Sequence, residues 1–306
     1  GAVYLFDLSG NFPSQKQRLT ASDGAQRDYF GISVDMDGDF LVAGAPYEDP
    51  DGLSSAGSAY LFKRGSNGQY SQTAKLLPEE SEQDANFGQS VSVANGIIAV
   101  GAHNQKKMVN GTLQSSSGAV HLYKTTDAGA VTLTQEIFSP GSEYNGRFGN
   151  ALAMDGNKLV VGAYNTRRDS SGNYLLNGNR LGAVHIYIVQ ADGTAQLTSS
   201  LYSPSPTRDG YFGNQIALDG ERLLVGAYQE DSDNGSQSGV AYVYKVSTDG
   251  KTSLLERLTH PTGRASDGFG VSVGLSGLNY LVGSPNYDLD NERWNAGSAV
   301  LFRASQ

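Results

Sequence analysis

The chain has 306 residues, a net charge of −9 and no cysteine. That length allows a large core, while the acidic balance weighs against nucleic acid or an anionic membrane surface as the main partner. The missing cysteines exclude disulfide scaffolds, thiolate zinc sites and cysteine nucleophiles. Glycine (39 residues) and tyrosine (17) are abundant, a composition suited to many short strands joined by tight turns. No apolar run approaches the roughly 18 residues of a membrane helix, so direct membrane insertion is not expected. No secretory leader stands at Gly1, so an export signal is expected to lie outside this chain.

The first element in chain order is the apolar run GAVYLF at Gly1, followed by a weaker strand within QKQRLTAS. A pattern then begins that recurs to the end. Phe30-Gly31 opens an alternating segment, the turn DMDGDF follows, and LVAGAP forms a second apolar run. A polar loop leads to GSAYLF at Gly57 and then to another weak strand. Phe-Gly returns at Phe87, Phe148, Phe212 and Phe269, with spacings of 57, 61, 64 and 57 residues. The second runs are IIAVGAH, LVVGAY, LLVGAY and YLVGSP, and the third are GAVHLY, GAVHIY, GVAYVY and GSAVLF. Helical periodicity is absent.

The unit is therefore four short antiparallel strands in about 60 residues. One such sheet cannot cover both of its own faces, whereas stacked sheets cover one another, which is the β-propeller solution. The expected fold is an all-β propeller of four-stranded antiparallel blades, with five recognisable repeats and a partial sixth. A single domain over residues 1–306 is expected, within a longer propeller or a multidomain adhesin if the chain is a piece of one. The strand from Gln15 to Ser22 is expected to complete the blade that holds Gly297, which leaves GAVYLF over: either one blade has five strands or the chain is a piece of a longer propeller.

These motifs, above all QRLTASDG…YFG…LVAGAP…GSAYLF, resemble the FG-GAP repeat family. That family includes the integrin α-subunit propeller and the exported surface and biofilm-matrix proteins of bacteria. The resemblance covers the whole chain. It implies a propeller used for interaction at an extracellular or cell-surface location, in a bacterial setting, and by itself it implies no catalysis. Phe30, Phe87, Phe148, Phe212 and Phe269 read as structural residues between blades. The glycines beside them read as places where backbones approach closely.

Three kinds of candidate site residue stand out. The segments DMDGDF, VANGII, AMDGNK, ALDGER and GLSGLN read as hairpin turns, too short to supply the six to eight oxygens of calcium. A better acidic pattern follows the second strand. Five and seven residues past its glycine stand Asp49 and Asp51, Asp231 and Asp233, and Asp288 and Asp290, with Glu48 adjacent. Oxygen ligands at alternate loop positions suit calcium, and turn aspartates are the competing explanation. In the second and third repeats Lys106, Lys107, Arg167 and Arg168 break this pattern. The same loops carry aromatic and basic side chains suited to a sugar or protein: Tyr47, His103, Tyr164, Tyr174, Tyr228, Tyr287, Trp294, Arg167 and Arg168. All five loops join corresponding strands and are expected on one face.

The functional expectation is a non-catalytic extracellular module. It would bind a glycan or an extracellular protein through the loops 46–56, 103–117, 164–181, 228–238 and 285–296. The alternatives are a polysaccharide lyase or hydrolase on a propeller, and a structural spacer of a large repeat protein. A catalytic reading needs a compact acid, base and charge stabiliser. The segment Gly270-Val-Ser-Val-Gly274 mimics a hydrolase elbow but aligns with ordinary first strands.

Overall fold

A computed structural model describes residues 1–141, 143–168, 171, 173, 175, 178–289 and 295–304. By their contacts these residues group into two compact units. The first holds residues 1–144 with 191–194, and the second holds the remainder.

In the first unit, β1 (Val3–Asp7) and β2 (Ser14–Leu19) form a two-stranded ribbon. β3 (Val34–Asp37), β4 (Phe40–Ala45), β5 (Ser58–Arg64) and β6 (Tyr70–Leu76) form a four-stranded antiparallel meander. A second blade follows from β7 (Phe87–Ala94) and β8 (Ile97–Ala102). After a small hairpin of β9 (Lys107–Val109) and β10 (Thr112–Gln114), it is completed by β11 (Ala119–Thr125) and β12 (Val131–Phe138). That hairpin lies in a segment read as loop. Its turn is Asn110-Gly111, both residues with positive φ, as a two-residue turn demands.

The second unit contains one blade of β13 (Ala151–Asp155), β14 (Lys158–Ala163), β15 (Ala183–Val189) and β16 (Ala195–Tyr202). Another is built from β17 (Ile216–Asp219), β18 (Arg222–Ala227), β19 (Val240–Val246) and β20 (Thr252–Leu258). β21 (Ser272–Ser276), β22 (Asn279–Ser284) and β23 (Ser298–Arg303) form a three-stranded sheet. The Gln15–Ser22 strand, expected to complete the blade holding Gly297, does not join that sheet: β2 pairs with β1 and with no other described strand. The ribbon is thus the third and fourth strands of a partial sixth repeat.

The repeated motif has a steric cause. A Cβ at Gly44, in the second strand, would overlap the carbonyl oxygen of Gly88, the Phe-Gly glycine of the next repeat. Gly226 meets Gly270 in the same way. The two backbones touch there, and only glycine leaves room. The neighbouring phenylalanine fills the space this contact frames. Phe87, Phe148, Phe212 and Phe269 are wholly buried and Phe30 nearly so. Each meets an aromatic ring of the third strand edge-on or tilted, as Phe212 meets Tyr242 at 5.7 Å and Phe87 meets His121 at 5.2 Å. Such ring pairs add about 1 kcal/mol beyond burial.

The DMDGD segment is a turn, and its Asp35 and Asp37 face the next blade. Asp37 accepts a hydrogen bond from the Asn95 backbone N–H at 2.8 Å. Asp155 accepts from Gly220 N–H, and Asp219 from Gly277 N–H at 2.6 Å. Asp35 likewise accepts from Ser92 Oγ at 2.7 Å and Val93 N–H at 2.8 Å. These carboxylates tie the inner hairpin of one blade to that of the next.

Candidate functional site

The loop after each second strand is closed at its neck. The third residue past the strand's last small residue accepts, through its carbonyl, the N–H of the glycine that opens the third strand. The pairs are Glu48–Gly57, Gln105–Gly118, Thr166–Gly182, Glu230–Gly239 and Tyr287–Gly297, all at 2.9 to 3.0 Å.

At Glu48, Gln105 and Glu230 the side chain turns inward, into a polar layer shared with neighbouring strands and linkers. Glu48 accepts from Ser58 Oγ and pairs with Lys75 at 3.1 Å; Lys75 also pairs with Asp23 at 2.7 Å. Gln105 bonds His121 Nε2 at 2.8 Å and donates to Glu136 at 2.6 Å. Glu230 is 0 % exposed and accepts from Ser203 Oγ at 2.5 Å and from the Tyr242 hydroxyl. Burial pushes its carboxyl up to about 7, partly offset by those two hydrogen bonds. Burial also pushes His121 and His185 down to about 4, so both are neutral imidazoles that replace the tyrosines of sister strands. Glu48 therefore lies beneath its loop, with its carboxylate engaged.

The paired aspartates recur for a local reason. Asp49 Oδ1 accepts the Ser55 N–H at 2.7 Å, Asp231 Oδ1 the Gln237 N–H at 2.7 Å, and Asp288 Oδ1 the Asn295 N–H at 2.8 Å. Each donor residue has a positive φ between 49° and 54°. The first aspartate thus pins the far end of its loop, while Asp51 and Asp233 stand exposed. Among the described residues, no three His, Asp or Glu side chains are grouped closely enough to hold a metal ion. Asp290, Trp294 and Tyr174 lie outside the described residues.

The aromatic candidates are brought together in part. In the second unit, Tyr164 and Tyr228 meet through a ring that sequence reading did not select, Tyr211. Tyr164 lies 5.8 Å from it, and Tyr228 stacks on it at 5.4 Å with planes 14° apart. Arg180 donates to the Tyr211 hydroxyl at 2.7 Å and its guanidinium lies 6.0 Å from that ring. Asp209 accepts from the Arg180 backbone at 3.1 Å. In the first unit, Tyr47 meets Tyr29 at 5.1 Å. Tyr29 and Tyr211 each precede a Phe-Gly pair and hold φ near 55°, which turns the ring back toward the preceding loop. The sequence signal was the triplet YFG in two repeats.

Tyr287 stacks on His260 at 4.4 Å and its hydroxyl meets Thr262 at 3.0 Å, so it is held against the segment that joins β20 to β21. His103, Arg167 and Arg168 are partly buried. The charge of Arg168 adds to the lowering of His185.

Comparison with known proteins gives the repeat its family. A model described as the FG-GAP repeat matches residues 13–62, 70–123, 131–187 and 203–244. The chain belongs to the FG-GAP repeat family. The first three FG-GAP matches start at the fourth strand of one sheet and end in the third strand of the next, so the sequence repeat is offset by one strand from the blade. A search of curated proteins returned no match. A crystal structure of a protein from Lactobacillus plantarum aligns over 87% of this chain and 80% of its own length, at 16% identity and a TM-score of 0.40.

Proposed function

We propose that this FG-GAP propeller is a non-catalytic binding module that recognises a glycan or an extracellular protein through the loops after its second strands. One observation carries the reading: the half-buried rings of Tyr164 and Tyr228, joined by Tyr211 and bordered by Arg180. Rings held rigidly at loop bases offer contact area at low entropic cost, and an adjacent arginine favours a ligand with carboxylate or sulfate groups. A rigid blade scaffold with variable loops is the usual arrangement for recognition.

An extracellular or cell-surface setting, including a bacterial matrix, fits this reading and the habit of FG-GAP repeats. No helix among the described residues is long and apolar enough to cross a membrane. Calcium in the aspartate loops is the one cofactor the reading admits. Its test is a melting temperature that rises with calcium and returns with a chelator; an unchanged temperature removes calcium from the account.

The function is tested by applying the protein to a glycan array and to immobilised matrix proteins, then exchanging the loop 228–238 for the loop 46–56. Binding that disappears on exchange supports the proposal. Binding indifferent to loop exchange would favour a spacer, and turnover of an acidic polysaccharide by the pure protein would favour an enzyme.

A further inference from the structure

The second repeat reverses one charge in the polar layer beneath its loop. In the first repeat Lys75, opposite Tyr60 on the β5–β6 ladder, places its ammonium 2.7 Å from Asp23 and 3.1 Å from Glu48. In the fourth repeat the same register holds another cation, Arg257, opposite Tyr242, and its charge offsets part of the rise of the Glu230 carboxyl. In the second repeat the register holds Glu136, opposite His121.

The groups that receive Lys75 keep their places. Glu80, like Asp23, stands seven residues before the phenylalanine of Phe-Gly, and Gln105 takes the loop-neck position of Glu48. Glu79, Glu80, Glu82, Gln105, Glu136 and Phe138 line an open cavity of about 490 Å³, and all belong to the first unit. The two lysines beside it are engaged. Lys106 binds Glu82 through its ammonium at 2.7 Å and its N–H at 3.0 Å, and the Lys107 ammonium lies 4.6 Å from the centre of the Phe138 ring. Glu79 and Glu80 have no ion pair among the described residues. Burial, with the charges of Glu79 and Glu80, pushes the Glu136 carboxyl up. Its carboxylate is also held in place, because Gln105 donates to it at 2.6 Å and His121 fixes Gln105 at 2.8 Å. A positive group among these acids relieves their repulsion.

We infer that this cavity takes a primary ammonium group, that of a lysine side chain from a partner polypeptide, in the place that Lys75 fills in the first repeat. Glu80 and Glu136 would accept from the ammonium, and Phe138 offers an apolar surface for the methylene stem. The site extends the proposed binding role to the loop 103–117. It shares no residue with the Tyr164–Tyr211–Tyr228 cluster, so either reading can fail without the other.

The test is an amide-resonance titration of the full chain by NMR with a Gly-Lys-Gly peptide blocked at both ends. The same peptide with its lysine acetylated and a glucosamine oligosaccharide are titrated in parallel. The lysine peptide should give saturable shifts at Gln105 and Glu136. Acetylating its lysine should weaken binding about tenfold or more, as should Glu136→Gln, since each removes a charge-assisted hydrogen bond. Glu136→Lys should abolish binding and melt a few degrees above the wild type, because its own ammonium fills the site as Lys75 does. The Glu136 side chain is 38% exposed, so either substitution leaves the blade core untouched. A wild type without saturable shifts would overturn the inference. So would equal binding of the acetylated peptide, undiminished binding by either variant, or a lowered melting temperature in Glu136→Lys. Capture of the oligosaccharide but not the peptide would overturn the lysine assignment in favour of an amino sugar.

Discussion

Glu230 is a wholly buried carboxyl in the polar layer beneath its loop. Burial disfavours the charge and pushes its carboxyl up to about 7 from the ordinary 4.5. A raised carboxyl means that the folded state holds a proton the unfolded state has lost. Stability is therefore fully present below about 4.5 and falls as pH rises toward 7, levelling off above it. Glu230→Gln keeps the shape and removes the charge, so it should flatten that slope. At pH 8 it should stabilise by roughly 2 to 3 kcal/mol, and at pH 4.5 by little. Urea unfolding at the two pH values checks this, and equal effects at both would refute it. The glycine contacts make a second residue-scale prediction. Gly44→Ala places a methyl group on the Gly88 carbonyl oxygen, so it should cost about 2 kcal/mol or more. Gly38→Ala has open space around its Cβ and should cost less, from its positive φ alone.

Among the elements, the blades were legible and their loops were not. Phe-Gly, Gly-Ala and the GAVHLY-type runs recur because steric contact accepts few residues, so the sequence repeats wherever the backbone contact does. The inward side chain at three loop necks does one job with different residues: Glu48, Gln105 and Glu230. Such a position leaves no repeat in the sequence. The paired aspartates do repeat, but a carboxylate that pins its own loop gives the same spacing as a metal ligand. The Tyr211 contact was hidden because it depends on a left-handed φ that tyrosine rarely adopts. The β9–β10 hairpin carried a readable Asn-Gly turn between short apolar pairs. Pinning predicts that Asp231→Ala releases the Gln237 amide. Hydrogen exchange at Gln237 should rise by about fivefold, matching roughly 1 kcal/mol for the lost bond, with and without calcium. Protection that persists in the variant, or a loss that appears only on adding calcium, would point to a different role for Asp231.

For the whole molecule, family membership and blade architecture leave function to the loops, since a propeller scaffold serves many purposes. The second unit offers rings and an arginine at loop bases, and the first offers the Tyr29–Tyr47 pair. Binding, if it resides there, should separate from stability, because Tyr164 and Tyr228 are only half buried while the phenylalanines hold the blades together. The most direct measurement is a glycan and matrix-protein array probed with wild type and with Tyr164→Ala/Tyr228→Ala, alongside the melting temperature of each. The account predicts a wild-type signal that falls at least tenfold in the double variant while the melting temperature moves by only a few degrees. An equal signal from both proteins, or no signal from the wild type on any surface, would contradict it.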